Sequence, residues 1–200
     1  RDPNTMRTME ALSGIKQLSC DYAISYCALL EDGTVFLHER GRGQELLEAF
    51  QGASQIAVAK WGGVAGIKED GSFLFSNISE WPREEVLKKW TELELKQICG
   101  GDYFVGMKED GTVIAEEGIL NYRMNTIEQW NDIMRIAVGG GTVVGLKADG
   151  TVVAVCTPDT DKGQCNVDQW TDIVAVDTNG SITVGMKKDG SIVYTGGIKK

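Results

Sequence analysis

One dipeptide constrains this chain more than any other feature: Asp-Gly recurs at Asp32-Gly33, Asp70-Gly71, Asp110-Gly111, Asp149-Gly150 and Asp189-Gly190, at steps of 38, 40, 39 and 40 residues. A second ladder runs out of phase with it, because Phe50, Trp90, Trp130 and Trp170 follow one another at steps of 40. The columns around Asp-Gly agree in every unit. Four residues before the Asp stands Ala28, Gly66, Gly106, Gly145 or Gly185, and next comes Leu29, Ile67, Met107, Leu146 or Met186. After the Gly comes a hydroxyl (Thr34, Ser72, Thr112, Thr151, Ser191), then an apolar residue (Val35, Phe73, Val113, Val152, Ile192). A fixed period of this size marks a repeat architecture, in which each unit must bury its apolar face against a neighbour.

One unit reads as three strands. In the fourth, Ile133–Val138 is strand A, Val143–Lys147 strand B and Thr151–Val155 strand C. Asp-Gly is a hairpin signal because Gly tolerates the positive φ that tight turns demand. The small residue in strand B suggests close approach of a neighbouring backbone near a ring axis. Three antiparallel strands end opposite the face where the next unit starts, so each connection must cross back over its sheet. Ser79 to Trp90, with Pro82 in its first turn, acids early and lysines late, reads as a short helix. The predicted fold is all-β, a five-bladed β-propeller of three-stranded repeats, with an open arc or a fragment of a larger propeller as the alternative. The repeats fall at about 10–49, 50–89, 90–129, 130–169 and 170–200 within one domain, 6–200, and residues 1–5 resemble an epitope-tag remnant. A closed ring predicts a monomer with fifteen principal strands. An open arc would expose its end units and would be expected to pair with another copy.

Composition excludes several function classes. Twenty-five Gly against three Pro fits many tight turns and no collagen period. The formal charge of −9 opposes a nucleic-acid backbone or an anionic membrane surface as partner. No apolar run approaches the length of a membrane-spanning helix. The five cysteines (Cys20, Cys27, Cys99, Cys156, Cys165) are odd in number and form no C-x-x-C pair, which favours a reduced, cytoplasmic setting. Cys156 and Cys165 are close enough in sequence to pair if oxidised.

The fourth unit runs from Val138 through Gly139-Gly140-Gly141 and Lys147-Ala148-Asp149-Gly150-Thr151-Val152 to Gly163-Gln164, and Gly43-Gln44 repeats the last element in the first unit. These motifs resemble the regulator of chromosome condensation repeat, over nearly all of residues 10–197. The resemblance implies a β-propeller that serves as a platform for proteins. Members of that family exchange nucleotide on a small GTPase, dock on chromatin or, in bacteria, inhibit β-lactamases. The present chain departs from them in having five units, an acidic balance, and Tyr26, Phe104 or small residues where the family often has a His in the A–B turn. Nucleotide exchange is therefore not carried over.

Candidate chemistry is sparse. The single His, His38, lies just past strand C of the first unit, at a position filled elsewhere by Ser76, Glu116, Val155 and Thr195, so it reads as variation at a strand end. Asp159-Thr160-Asp161-Lys162-Gly163 lacks the third acid and the closing Glu of a calcium loop. Gly139-Gly140-Gly141 lacks the Lys of a phosphate loop and opens no helix. No catalytic residue, metal or cofactor is expected. The A–B turns differ from unit to unit, and Tyr22, Tyr26, Trp61, Asp102 and Tyr103 give the first three an aromatic composition suited to protein recognition, set against packing of those rings over their own blades. The predicted function is a non-catalytic protein-interaction scaffold, with a lectin-like or an enzyme-inhibitor propeller as alternatives.

Overall fold

The computed structural model describes residues 12–20, 25–39, 43–60, 63–76, 84–116 and 124–197. The fold is all-β: five antiparallel sheets, one per repeat, each a propeller-type blade. The chain divides into two compact units, Arg1–Glu94 and Leu95–Lys200. Unit 1 holds β1 (Ile15–Cys20), β2 (Ser25–Leu30), β3 (Val35–Glu39) and β4 (Gly43–Leu46) in blade 1, then β5 (Ala53–Ala59), β6 (Gly63–Lys68) and β7 (Phe73–Ser76) in blade 2, and the helix α1 (Glu84–Trp90). In unit 2, blade 3 contains β8 (Leu95–Gly100), β9 (Phe104–Lys108) and β10 (Val113–Ala115). Blade 4 contains β11 (Ile133–Gly139), β12 (Thr142–Lys147) and β13 (Val152–Cys156), and blade 5 contains β14 (Ile173–Thr178), β15 (Ile182–Lys187) and β16 (Ile192–Gly196).

The Asp-Gly turns are identical devices. In each, the Gly N–H donates three residues back and the following hydroxyl residue accepts at the base of the turn, as in Gly150 N to Lys147 O at 3.0 Å and Lys147 N to Thr151 O at 2.9 Å. Only the Gly is left-handed (φ 83° at Gly150), which is a type I turn closed by a glycine bulge. The Asp caps the turn by accepting the N–H two residues on, at 2.8–2.9 Å in all five units. Within unit 2 these turns also seat the next blade: the Gly111 carbonyl accepts from Ile133 N at 3.3 Å, and Gly150 from Ile173 N at 3.0 Å. Asp-Gly is therefore framework, and its uniformity has a mechanical cause.

Each within-unit contact between successive blades uses the same columns. Cys27, Leu29, Val35 and Leu37 of blade 1 pack on Phe50, Ala53, Ile56, Val58 and Val64 of blade 2 and the turn leading into it. Val105, Met107, Val113 and Ala115 of blade 3 pack on Ile127, Ile133, Ile136, Val143 and Val155. Ala137, Val144, Leu146 and Val152 of blade 4 pack on Val167, Ile173 and Val176. We call the first set of each pair the trailing face of its blade and the second the leading face of the next. Polar bonds reinforce the contact. Every strand A carries a bulge at its start, and in blades 1 and 3 the glutamine after it bonds to the next blade. Gln97 donates from Nε2 to Ile136 O at 2.8 Å and accepts Ile136 N at Oε1 at 2.9 Å; Gln17 makes the same pair of bonds with Ile56 in unit 1.

Two expectations, on the small residue of strand B and on His38, are corrected, and two further features emerge. The small residue of strand B makes room chiefly for side chains. In three blades it seats the ladder aromatic: a Cβ on Gly145 would lie 3.0 Å from Trp130, one on Gly185 2.9 Å from Trp170, and one on Gly66 3.1 Å from Phe50, while one on Gly106 would meet Leu95 at 3.1 Å. The ladder itself is uneven, since Phe50 and Trp90 are buried whereas Trp130 and Trp170 are half-buried. Gly43-Gln44 does not lie in an open connection; it begins β4, which pairs with β3 through Leu46 opposite Phe36 and makes sixteen strands among the described residues. His38 lies inside β3, not past it, and is buried. The helix expected over 79–90 is observed as α1 with Lys88 and Lys89 in its last turn, and its N-terminal signals, Ser79 and Pro82, lie outside the described residues.

Candidate functional site

Each sheet has two ends. The Asp-Gly turns occupy one, and the A–B turns, where the sequence varies, occupy the other. In unit 2 the A–B turns are built of small residues that interlock. Asp102 N donates to the Gly140 carbonyl at 3.0 Å, and Thr142 Oγ1 approaches the Gly180 carbonyl at 3.4 Å. A Cβ on Gly139 would fall within 2.8 Å of the Asn179 backbone, so glycine is required for the turns of blades 4 and 5 to meet. Gln164, wholly buried, fastens the crossing connection beneath them. Its Nε2 donates to Thr160 O at 2.9 Å, Gly180 O at 3.1 Å and Thr142 Oγ1 at 3.2 Å, and its Oε1 accepts Lys162 N at 2.6 Å. That set of bonds is the physical meaning of the Gly163-Gln164 motif.

The sequence-predicted site residues have different fates. Tyr103 is wholly buried in the core of blades 3 and 4, and burial, followed by the charge of Asp102, raises its phenol above the ordinary range. It is a packing residue, which corrects its assignment to a contact surface; the ring's area is better used against Val105 and Ile136 than left in water. Asp102, half-buried, stands in the blade 3 turn beside it. Tyr26 is half-buried and stacks on His38 with centroids 4.8 Å apart and planes 17° apart. The register brings those two together, since Tyr26 on β2 faces His38 on β3. Tyr22 and Trp61 lie outside the described residues; they belong to the stretches joining β1 to β2 and β5 to β6. Sequence reasoning missed the Gln17 and Gln97 clamps. The signal was present as a glutamine column, Gln17, Gln55 and Gln97, two residues into strand A.

The remaining candidates are structural. Asp161 accepts Gly163 N at 2.8 Å in a connection that turns through Pro158–Thr160. Among the described residues no three His, Cys, Asp or Glu side chains gather as metal ligands, and no helix is long and apolar enough to cross a membrane. The described cysteines, Cys156 and Cys165 included, form no disulfide.

No family model matches this chain, and no curated protein matches it. Solved structures do. Prp20p from Saccharomyces cerevisiae, described with its binding properties to Gsp1p and histones, is 13% identical with a TM-score of 0.67, over 91% of this chain and 57% of its own. Human WBSCR16 is 10% identical with a TM-score of 0.67, over 91% of this chain and 61% of its own. The C-terminal domain of gp131 from bacteriophage phiKZ is 12% identical with a TM-score of 0.59, over 94% of this chain and 68% of its own. The chain thus spans about three fifths of the length of the first two. Its fold is that of the regulator of chromosome condensation repeat propellers.

Proposed function

We propose that this protein is a non-catalytic scaffold that binds another protein through the A–B turns of unit 1, with Tyr22 and Trp61 as the principal contacts and Tyr26 as a further one. The observation that carries this reading is the contrast between the two ends of the blades. Five Asp-Gly turns are alike because each has the same structural task, whereas the A–B turns diverge: those of blades 4 and 5 meet through glycines, the aromatic of the blade 3 turn, Tyr103, is buried in the core, and the sequence of the first two turns carries Tyr22 and Trp61. Rigid elements displaying variable turns are where recognition concentrates. Aromatic anchors supply much of the affinity of a protein interface. The similarity to Prp20p, whose described properties include binding Gsp1p and histones, supports the same broad class of activity. The acidic balance of this chain supports a partner other than nucleic acid. Asp102, on the blade 3 turn of unit 2, is proposed separately as an acidic contact of that unit.

The test is affinity capture from the source organism, followed by titration of the purified partner against the parent, Tyr22→Ala, Trp61→Ala and Asp102→Asn. One of the two aromatic variants is expected to weaken binding at least about thirtyfold, with Asp102→Asn smaller. Tyr103 is left intact because its truncation would report on folding. Unchanged affinity in both aromatic variants overturns the site. Glycan binding that survives them would favour the lectin-like alternative.

A further inference from the structure

The interlocked turns of unit 2 contain chemistry that neither the fold nor the proposed recognition uses. Asn179-Gly180 is the chain's single Asn-Gly pair. An asparagine side-chain amide is attacked most readily by the backbone N of a following glycine, because no Cβ hinders the approach. Asn179 is exposed, so water reaches its amide, whereas Gly180 is buried. The electrophile is already activated. Asn179 Oδ1 accepts Ser181 N at 3.0 Å and Ile182 N at 2.9 Å, and N–H donors on a carbonyl oxygen stabilise the charge that grows there during attack. The nucleophile, by contrast, is withheld. Gly180 N donates to Thr178 Oγ1 at 3.2 Å, and the Gly180 carbonyl accepts Gln164 Nε2 at 3.1 Å. Its α-carbon is wedged against blade 4, since a Cβ there would lie 2.6 Å from the Gly139 carbonyl oxygen. Ring closure needs the backbone between Asn179 and Gly180 to turn until the glycine N faces the side-chain carbon. A glycine fixed at its N–H, its α-carbon and its carbonyl cannot make that turn.

We propose that Asn179 is a self-modification site gated by the junction of blades 4 and 5: it is stable while the turns interlock and converts to an aspartyl or isoaspartyl residue when they part. In the reaction a bond forms between Gly180 N and Asn179 Cγ, and the Cγ–Nδ2 bond breaks. The Gly180 N–H proton leaves with Nδ2 as ammonia. Water then opens the cyclic imide at either carbonyl, and both products carry a carboxylate where the amide was neutral. Opening at the backbone carbonyl routes the main chain through the side-chain carbon and lengthens the turn. The lengthened turn no longer fits its seat, where a Cβ on Gly139 would already lie 2.8 Å from the Asn179 backbone. The product is therefore a lasting mark of an opening event at the A–B end of unit 2. This chemistry is independent of the Tyr22 and Trp61 turns, and the variants that test it leave those turns untouched.

Peptide mass mapping of the protein incubated at mildly alkaline pH tests the proposal, with ammonia release as a second readout. The folded parent is expected to convert Asn179 at least about tenfold more slowly than the guanidinium-unfolded chain, because reaction waits on local opening. Thr178→Val removes the acceptor of the Gly180 N–H, and Gln164→Ala removes the donor to the Gly180 carbonyl. Each should speed conversion in the folded protein about three- to tenfold, the effect of a lost hydrogen bond on an opening equilibrium. Circular dichroism melts check that both variants fold. Were either unfolded, the parent in guanidinium below its unfolding midpoint replaces it, and conversion must rise in step with hydrogen exchange at the Gly180 amide. Conversion in the folded parent as fast as in the unfolded chain overturns the gate, and so does a rate unchanged in both variants. An Asn179 that stays intact in the unfolded chain overturns the site itself.

Discussion

The same dipeptide meets two fates in this molecule. Gly163-Gln164 in unit 2 sits in a connection where the glutamine is buried and makes four hydrogen bonds to the A–B turns and the connection itself. Gly43-Gln44 in unit 1 opens β4, a strand added to the edge of blade 1. The A–B turns differ as well. Those of blades 4 and 5 meet through glycines, and the sequence joining β1 to β2 and β5 to β6 holds Tyr22 and Trp61. The lesson is that a repeat protein separates its tasks by position. Where a column must satisfy its neighbour, every unit keeps the same chemistry; where it need not, units diverge, and divergence marks the candidate surface.

The largest expected effect breaks or sharpens the equivalence of the two units at the aromatic ladder. Phe50→Ala in unit 1 removes a wholly buried ring seated on Gly66, and should cost about 3–5 kcal/mol. Trp130→Ala in unit 2 removes a half-buried ring seated on Gly145, and should cost less, about 2–3 kcal/mol. Urea unfolding measures both. The reverse order would show that burial of the ring does not set the cost.

The glutamine clamps come next. Gln17→Leu and Gln97→Leu each strip both partners from the backbone of a residue in the first, edge strand of the next blade, Ile56 or Ile136. Each should cost about 1–3 kcal/mol, because an unpaired buried N–H or carbonyl costs its full desolvation. Closely similar losses in the two variants are expected; a neutral Gln97→Leu would show that water replaces the clamp.

Much of this frame was legible in the sequence, and for physical reasons. The Asp-Gly turns, the strand limits of blade 4 and the spacing of the blades follow from local turn chemistry and period, which tertiary packing has no reason to override. The misreadings came from columns whose partner is distant. A small residue in strand B records that something large lies over it, and Gly145 alone does not say that the object is Trp130. Tyr103 looked like a turn aromatic because its neighbours Gly101 and Asp102 are turn residues, yet its ring is in the core. Leu18 reads as an ordinary strand A aliphatic, yet it is exposed where Ile56, Ile98, Ile136 and Val176 of the same column are buried.

Two smaller effects separate framework from surface. The Asp70, Asp110, Asp149 and Asp189 carboxyls are held below the usual range, chiefly by the hydroxyl of the following Ser or Thr and then by its N–H; at Asp32 the N–H of Thr34 leads. A carboxyl depressed in the folded state stabilises it above the unfolded pKa of about 4 and loses that contribution as pH falls through the folded value. Stability should therefore drop on acidification below about pH 4, and Asp149→Ala should flatten that drop slightly in urea titrations at pH 5 and pH 2.5. Thiol labelling gives the second. Burial pushes Cys27 and Cys99 up to about 12, whereas Cys20 is exposed. Iodoacetamide at neutral pH should modify Cys20 first and reach Cys27 and Cys99 only on unfolding; early labelling of Cys99 would mean that blades 3 and 4 open.

The central claim is that the unit 1 turn aromatics serve recognition and not the fold. Converting them to the residue type that unit 2 uses, in Tyr22→Gly/Trp61→Gly, tests it without knowledge of the partner. The account predicts a urea unfolding free energy within about 0.5 kcal/mol of the parent, as for surface substitutions away from packed features. A loss of about 3 kcal/mol or more, the size expected for truncating buried rings, would contradict it and return Tyr22 and Trp61 to the core.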